Sequence, residues 1–537
     1  MSTVTRQAPQ IRVSEGFDLV QFLLDEQQDL SAVERFSQRH ADVTAPLMAP
    51  FYRELLPTSA PTDGEQYAFE VDLDACSGCK ACVVACHQRN GLEEDETWRT
   101  VGTLQSDGES GALQHITTAC HHCADPGCLR GCPVQAYEKD PVTGIVVHLD
   151  DQCIGCKYCT MMCPYDVPQY SETKKIVRKC DMCRQRLDVG EAPACVQACP
   201  NQAIRITLVD QAEARASGAQ GDFLQGAAHP ATTAPTTRFV GSTRQAKLTS
   251  GDLFSLRLNH GHLPLVVLLV FTQLSVGAAL AGCLLPSQRG MLFVLSTATC
   301  AVGLAASGLH LGRPLYGFRV FLGLRTSWLS REAILFGKYF ALIGLATASV
   351  TLQTFLELGM LAAWLSVAVG VAAVYCSIMI YVVTQRPVWG LIWTSMRFGG
   401  TALLLGVAAS LATQWAPEVS RIPLGCLLIG LTAMRCYGER RFMRLADHNY
   451  ENPWTRTVAL LNRKLSLPMT LRNALWGCGG ALLPLTGLLI SDGDASHGIA
   501  LVGLLTLTAA ELIDRYLYFA SEATPSMPGI ARLGDRQ

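Results

Sequence analysis

Charge is scarce in this sequence. Only 16% of its 537 residues are Asp, Glu, Lys or Arg, and the formal net charge is −2. No global field therefore exists to draw in nucleic acid. The first seventeen residues, Met1 to Phe17, carry no basic-then-apolar signal pattern and no twin-arginine pair. The cysteine-rich first half has no Ser/His/Asp set, phosphate loop or flavin fingerprint. These absences exclude a nucleic-acid binder and leave that half without substrate chemistry of its own.

What is present is apolar residues, at 49%, and cysteine, at 22 copies. The two are unevenly placed. Most charges and cysteines precede residue 260, and long apolar runs dominate afterwards, as in a soluble domain followed by a membrane domain. Six cysteines (Cys283, Cys300, Cys376, Cys426, Cys436 and Cys478) are scattered along apolar segments and read as small hydrophobes. The other sixteen form four tight groups, which points to metal ligation rather than disulfides.

The first group is Cys76, Cys79, Cys82 and Cys86; the third is Cys153, Cys156, Cys159 and Cys163, followed by Pro164. Both have the bacterial ferredoxin spacing, in which three thiolates grip one cubane and the fourth ligates the other cluster of a pair. The second group (Cys120, Cys123, Cys128, Cys132) and the fourth (Cys180, Cys183, Cys195, Cys199) insert residues before the third ligand. Sixteen ligands in a three-plus-one pattern predict four [4Fe–4S] clusters. Zinc also uses Cys-x2-Cys pairs, but it does not explain four repeats of the distal ligand. With every ligand occupied by iron, the array is a wire, and the terminal substrate site belongs on another polypeptide.

The remaining organisation follows composition. Residues 1–65 form a helical extension, with an amphipathic stretch at 17–24 and a capping box from Ser31 to Glu34. It is read as a covering overhang or a docking arm. Residues 66–207 hold the cysteine groups, with strand-like alternation at 69–73 and 145–149. Residues 208–262 are rich in Ala, Thr, Gly and Pro and read as a linker or arm. About eight apolar segments then fall within 263–520, near 263–285, 291–311, 333–355, 361–384, 396–415, 422–437, 473–490 and 498–519. Residues 521–537 are a tail. The predicted fold class is an α+β double ferredoxin-like domain followed by an all-α polytopic membrane domain.

The stretches Cys120-His-His-Cys-Ala-Asp-Pro-Gly-Cys128, Cys153-Ile-Gly-Cys-Lys-Tyr-Cys159 and Met162-Cys-Pro-Tyr165 resemble the four-cluster iron–sulfur subunit of dimethyl sulfoxide reductase and related molybdopterin oxidoreductases. That resemblance spans about 68–207. It implies that the first group pairs with the fourth and the second with the third. The ligand sets would be Cys76/Cys79/Cys82/Cys199, Cys86/Cys180/Cys183/Cys195, Cys120/Cys123/Cys128/Cys163 and Cys132/Cys153/Cys156/Cys159. Some relatives carry tryptophan at the position of Cys128 and hold a three-iron cluster; the cysteine here argues against that.

Ala306-Ser-Gly-Leu-His-Leu-Gly-Arg-Pro-Leu315 and Thr326-Ser-Trp-Leu-Ser-Arg-Glu332 resemble the eight-helix anchor of the same family. The resemblance implies oxidation of menaquinol, with ubiquinol the other quinone substrate considered, and places His310 at the quinol site. Quinol oxidation releases two protons, for which a histidine is a suited acceptor; the alternative is an interfacial histidine satisfying a hydrogen bond. Arg313 either orients the quinone or contacts the soluble domain. Glu511 and Arg515 lie four apart on one helix face and are candidates for an intramembrane pair. Arg331 and Glu332 are candidates for a proton exit or for ordinary helix-end charges.

Arg313, Arg319, Arg325, Arg331, Arg386, Arg440, Arg441, Arg444, Arg456, Arg463, Lys464 and Arg472 fall in loops on the Fe–S side, against Arg289 and Arg421 opposite. The positive-inside rule then places the Fe–S domain on the cytoplasmic side of the inner membrane; contact of these arginines with the soluble domain is the competing explanation. The combined reading is an electron-transfer and anchor subunit that moves electrons from the membrane quinone pool to a molybdopterin-containing catalytic subunit. Nitrate, S- or N-oxides, and sulfur and selenium oxyanions are the candidate acceptors. Reverse flow from a dehydrogenase is the alternative within redox chemistry. A redox-sensing transporter is the alternative from another class; it predicts inverted repeats and ionisable residues along a midplane path, and the sequence displays neither.

Overall fold

The computed structural model describes residues 48–106, 113–241, 248–413, 421–447, 449–490, 493–523 and 526–529, with isolated positions before residue 48. The amphipathic stretch at 17–24 lies largely outside the described residues. The capping box is seen: the Ser31 amide donates to Glu34 at 2.7 Å, and the Glu34 amide donates to the Ser31 hydroxyl at 3.2 Å. Where the extension reaches the soluble domain, Tyr52 and Leu55 are buried with Phe69, Val196 and Ile204.

Pairing of short strands explains how separate cysteine groups meet. Strand β1 (Glu65–Asp72) precedes the first group and β8 (Ile204–Asp210) follows the fourth; they pair antiparallel from Glu65↔Asp210 to Val71↔Ile204. The two outermost groups are thereby brought side by side. Strands β2 (Thr100–Ser106) and β3 (Leu113–Thr118) form a hairpin between the first and second groups. Hairpins β4 (Tyr137–Lys139) with β5 (Val146–His148), and β6 (Gln169–Ser171) with β7 (Ile176–Arg178), flank the third group.

The described residues of the Ala/Thr/Pro-rich stretch 208–262 are bonded to the strands of the cysteine-bearing domain. Within it β9 (Arg238–Val240) joins β1 in parallel, and β10 (Leu248–Ser250) joins β2 antiparallel. The Ala124 and Asp125 amides donate to Ala234 and Thr233 carbonyls at 2.8 and 3.0 Å. This backbone bonding holds a segment whose composition alone suggests slack.

The second half is helical: α1 Leu263–Leu284, α2 Arg289–His310, α3 Trp328–Leu352, α4 Leu356–Val382, α5 Leu391–Ala412, α6 Arg421–Met443 and α8 Gly493–Ala520. Between α6 and α8, α7 is broken into Ser466–Gly477, a π-helical turn Cys478–Leu482, and Leu483–Leu489. Among the described residues, six helices are long and apolar enough to cross a membrane: α1 to α5 and α8. The segments expected at 422–437 and 473–490 fall on α6, which carries Arg435, Glu439, Arg440 and Arg441, and on the interrupted α7. Small residues let α1 and α5 touch backbone to backbone; a Cβ on Gly406 would lie 2.7 Å from the Gly277 carbonyl oxygen.

The two halves interlock. The Tyr158 hydroxyl, in the third cysteine group, donates to the Ile380 carbonyl of α4 at 2.8 Å. Arg386, between α4 and α5, pairs with Glu522 and reaches the Met161 carbonyl. Beyond α8 the polypeptide returns to the soluble domain: Met527 is buried against Val71, Leu104 and Phe239, and the Thr103 amide of β2 donates to the Gly529 carbonyl at 3.1 Å.

Candidate iron–sulfur and quinol sites

Cysteines from different groups come together in the fold, and some contacts run from one proposed set to the next, as Cys82 with Cys195 and Cys180 with Cys120. Cys76 lies beside Cys79 and Cys199, and Cys82 interacts with Cys199 and Cys195. Cys86 neighbours Cys195 and Cys183, and Cys180 neighbours Cys86 and Cys183. Cys123 sits with Cys120 and Cys128, and Cys163 faces Cys128 and Cys123. Cys132 and Cys153 interact, and Cys156 and Cys159 join them.

These thiols suit iron–sulfur ligation chemically. Burial pushes Cys86 and Cys128 up to about 12, so a thiolate there requires a cationic partner. Backbone amides already point at the sulfurs: Ala136 to Cys132 at 3.2 Å, Ala203 to Cys199 at 3.3 Å, and Gly155 and Met182 to Cys153 and Cys180 at 3.4 Å. Such donors stabilise anionic sulfur.

Two buried cations were not legible as site residues. Arg99, on the strand side of the first group, interacts with Cys195, Cys82, Cys180 and Cys86. Lys179 is buried between Cys120, Cys128 and Cys180. Each supplies positive charge where anionic thiolates from two groups converge. Lys179 directly precedes Cys180, which is a faint signal; Arg99 stands in no motif.

At the membrane end, His310 terminates α2 and lies against the backbone of Cys156. Its Nε2 is buried without a hydrogen-bond partner. Its ring meets that of His262, just before α1, edge-on at 5.7 Å, and His262 packs in turn on Phe519 of α8 at 5.6 Å. Sequence reasoning missed His262, which has no motif of its own. Arg313 points away from this pair: its Nη1 donates to the Asp150 carbonyl and its amide to Ile154, both at 3.0 Å. It ties the α2–α3 loop to the third cysteine group.

Glu511 and Arg515 do not form a pair. Glu511 accepts from Arg435 at 2.8 Å and from the Trp476 indole at 2.9 Å, whereas Arg515 donates to Gln273 at 3.0 Å and lies over the Phe398 ring at 3.9 Å. Both belong to a larger buried cluster in which Asp514 accepts from Arg472, Arg435 and Arg397 at 2.9, 3.0 and 3.3 Å. At about 1.5 Å rise per residue, these groups lie roughly 6 to 14 Å inside the Fe–S end of their helices. Their mutual pairing is that of an internal strut. Glu332 is buried on α3 and bonds Ser377 of α4, so it is not an exposed helix-end charge.

The fold and these sites define an iron–sulfur electron-transfer protein fused to its own membrane anchor. Comparison with known proteins agrees. Residues 112–208 match the 4Fe-4S dicluster domain and residues 258–428 match the DMSO reductase anchor subunit family. The B subunit of the anaerobic dimethyl sulfoxide reductase of Haemophilus influenzae is 38% identical over 157 residues, covering 27% of this protein and 76% of that one. The corresponding B subunit of Escherichia coli K12 is 38% identical over 155 residues, covering 27% and 75%. The formate dehydrogenase-O iron-sulfur subunit of Escherichia coli K12 is 33% identical over 171 residues, covering 28% and 57%. This protein belongs to the dimethyl sulfoxide reductase family, with iron–sulfur and anchor subunits joined in one polypeptide.

Proposed function

We propose that the protein oxidises a quinol, menaquinol or ubiquinol, beside His310 and relays electrons through four [4Fe–4S] clusters to a separate molybdopterin-containing catalytic subunit. The observation that carries this reading is the junction at Cys156. A half-buried histidine whose Nε2 is enclosed and unpartnered, at the end of a membrane helix, adjoins a cysteine of the third group.

His310 Nε2 accepts a proton from the quinol hydroxyl, and His262 holds the imidazole edge-on. Arg313 fixes the loop against Asp150 and Ile154 and so positions His310. The ligand sets are Cys132/Cys153/Cys156/Cys159 nearest the membrane, then Cys120/Cys123/Cys128/Cys163, Cys86/Cys180/Cys183/Cys195 and Cys76/Cys79/Cys82/Cys199. A bound cluster supplies one-electron transfer at each set. Cys79 is the exposed thiol among the sixteen, which favours the last set as the exit to the partner. That partner reduces nitrate or an S- or N-oxide.

All eight helices cross the inner membrane in this reading, with the Fe–S domain on the cytoplasmic side. Arg313, Arg319, Arg386 and Arg456 are bonded to backbone carbonyls of the preceding domain, so they carry no topological weight. The exposed Arg325, Arg440, Arg441, Arg444, Arg463 and Lys464 do. The likeness to a formate dehydrogenase subunit favours a second reading, electron flow from a dehydrogenase into quinone; redox titration of the clusters against the quinone couple separates the two.

The test is His310→Gln in membranes containing the partner. Cluster content by electron paramagnetic resonance should be unchanged and quinol-dependent cluster reduction lost; normal reduction kinetics would remove His310 from the mechanism. Recovery of this protein from native membranes without a molybdopterin protein would sink the reading as a whole.

A further inference from the structure

Between α2 and α3 lies a helical segment, Pro314–Gly323, in 3₁₀ geometry. One side is bound to the soluble domain. The Gln135 side chain donates to the Leu322 carbonyl at 3.0 Å, the Gly323 amide donates to the Pro133 carbonyl at 2.8 Å, and Arg319 donates to the Asp151 carbonyl. The other side is apolar and uncovered: Leu315 is 89% exposed, Phe318 66% and Phe321 64%, and Leu309 at the preceding helix end is 82% exposed. A soluble surface rarely leaves so many large apolar side chains adjacent and open.

Two further observations say what covers this face. From Leu311 to Arg331 there is no Asp or Glu, and there are four arginines, Arg313, Arg319, Arg325 and Arg331. Arg319 stacks on Tyr316 at 4.5 Å and Arg331 on Trp328 at 4.4 Å, the aromatic and cationic pairing typical of the headgroup region. The segment is also continuous at both ends with α2 and α3, which are long and apolar enough to cross a membrane. Its ends are therefore fixed at the membrane boundary.

We propose that Pro314–Gly323 lies in the plane of the bilayer as an interfacial helix. Leu315, Phe318 and Phe321 enter the outer part of the acyl region, and the exposed Arg325, whose side chain is not used in bonding the Fe–S domain as those of Arg313 and Arg319 are, faces anionic phospholipid headgroups. Because the same segment bonds Pro133 and Asp151, it sets the height of Cys132 and Cys153 above the lipid. This is a lipid-binding surface distinct from the transmembrane spans, and it stands whichever way electrons flow.

The experiment uses the full, cluster-loaded protein in nanodiscs of phosphatidylethanolamine and phosphatidylglycerol. The photo-cross-linker benzoylphenylalanine replaces Leu315, Phe318 or Phe321 in turn, with Val142 on the Fe–S domain and Leu345 on α3 as negative and positive controls. Lipid adducts are expected at all three positions and at Leu345, with none at Val142, and phosphatidylglycerol should be enriched over its share in the disc. Adducts to a second protein, or none at the three positions while Leu345 reacts, would overturn the proposal. Lipid adducts without enrichment of phosphatidylglycerol would overturn its electrostatic part.

Discussion

At the residue scale, the buried cations matter as much as the ligands they accompany. Arg99 reaches thiols of the first and fourth groups, so it favours the extra negative charge that a reduced cluster carries. Arg99→Gln should therefore lower the midpoint potential of the clusters at Cys82 and Cys86; a redox titration followed by electron paramagnetic resonance reads the shift, and an unchanged potential would deny the cation this role. His262 makes a separate prediction. Burial first, then the neighbouring His310 and His260, push it down from 6.5 to about 3. The unfolded state then binds the proton more readily than the folded one. Stability from this residue is fully present above pH 6.5 and falls as the pH drops towards 3, and His262→Phe should flatten that part of the thermal-midpoint profile.

At the element scale, the cysteine spacing and the strands around it were legible because thiolate geometry and period-two alternation are local properties. Phe69 to Asp72 lies within β1, and Val146 to His148 form β5. The later helices are harder to read. In sequence Arg435 and Glu439 stand in no motif, and Arg472 reads as a loop cation on the Fe–S side. In the fold it is buried inside the Ser466–Gly477 helix, bonded to Asp514 and Glu439. Pairing partners from four different helices leave no trace in any one window of sequence. The α2–α3 loop offers a direct test of docking. A Cβ on Gly323 would lie 2.5 Å from the Pro133 carbonyl oxygen, so Gly323→Val should push the soluble domain off the loop. Cluster content should survive, while reduction from the membrane slows; unaltered kinetics would show that this contact does not govern transfer.

At the scale of the whole molecule, the membrane domain is braced by charge. Asp514 is shared by three guanidinium groups, and removing it leaves those three with only Glu439 and Glu511 to balance them. Asp514→Ala should cost roughly 3–5 kcal/mol, the range measured for breaking buried ion pairs, read as a lowered unfolding midpoint in detergent. Loss below about 1 kcal/mol, the level of an exposed pair, would mean that water reaches the cluster. Truncation after Glu522 should loosen the soluble domain instead, because it removes Met527 from the core and the Gly529 contacts to Thr103, Ser250 and Asp252; faster hydrogen exchange along β2 would report it.

That returning tail also fixes an order of events during biosynthesis. The Thr103 amide is bonded by Gly529, so a contact in the first half of the sequence is completed only after α8 has been synthesised. A polypeptide that stops short of Met527 therefore has all its membrane helices while the core around Val71, Leu104 and Phe239 still lacks its last side chain.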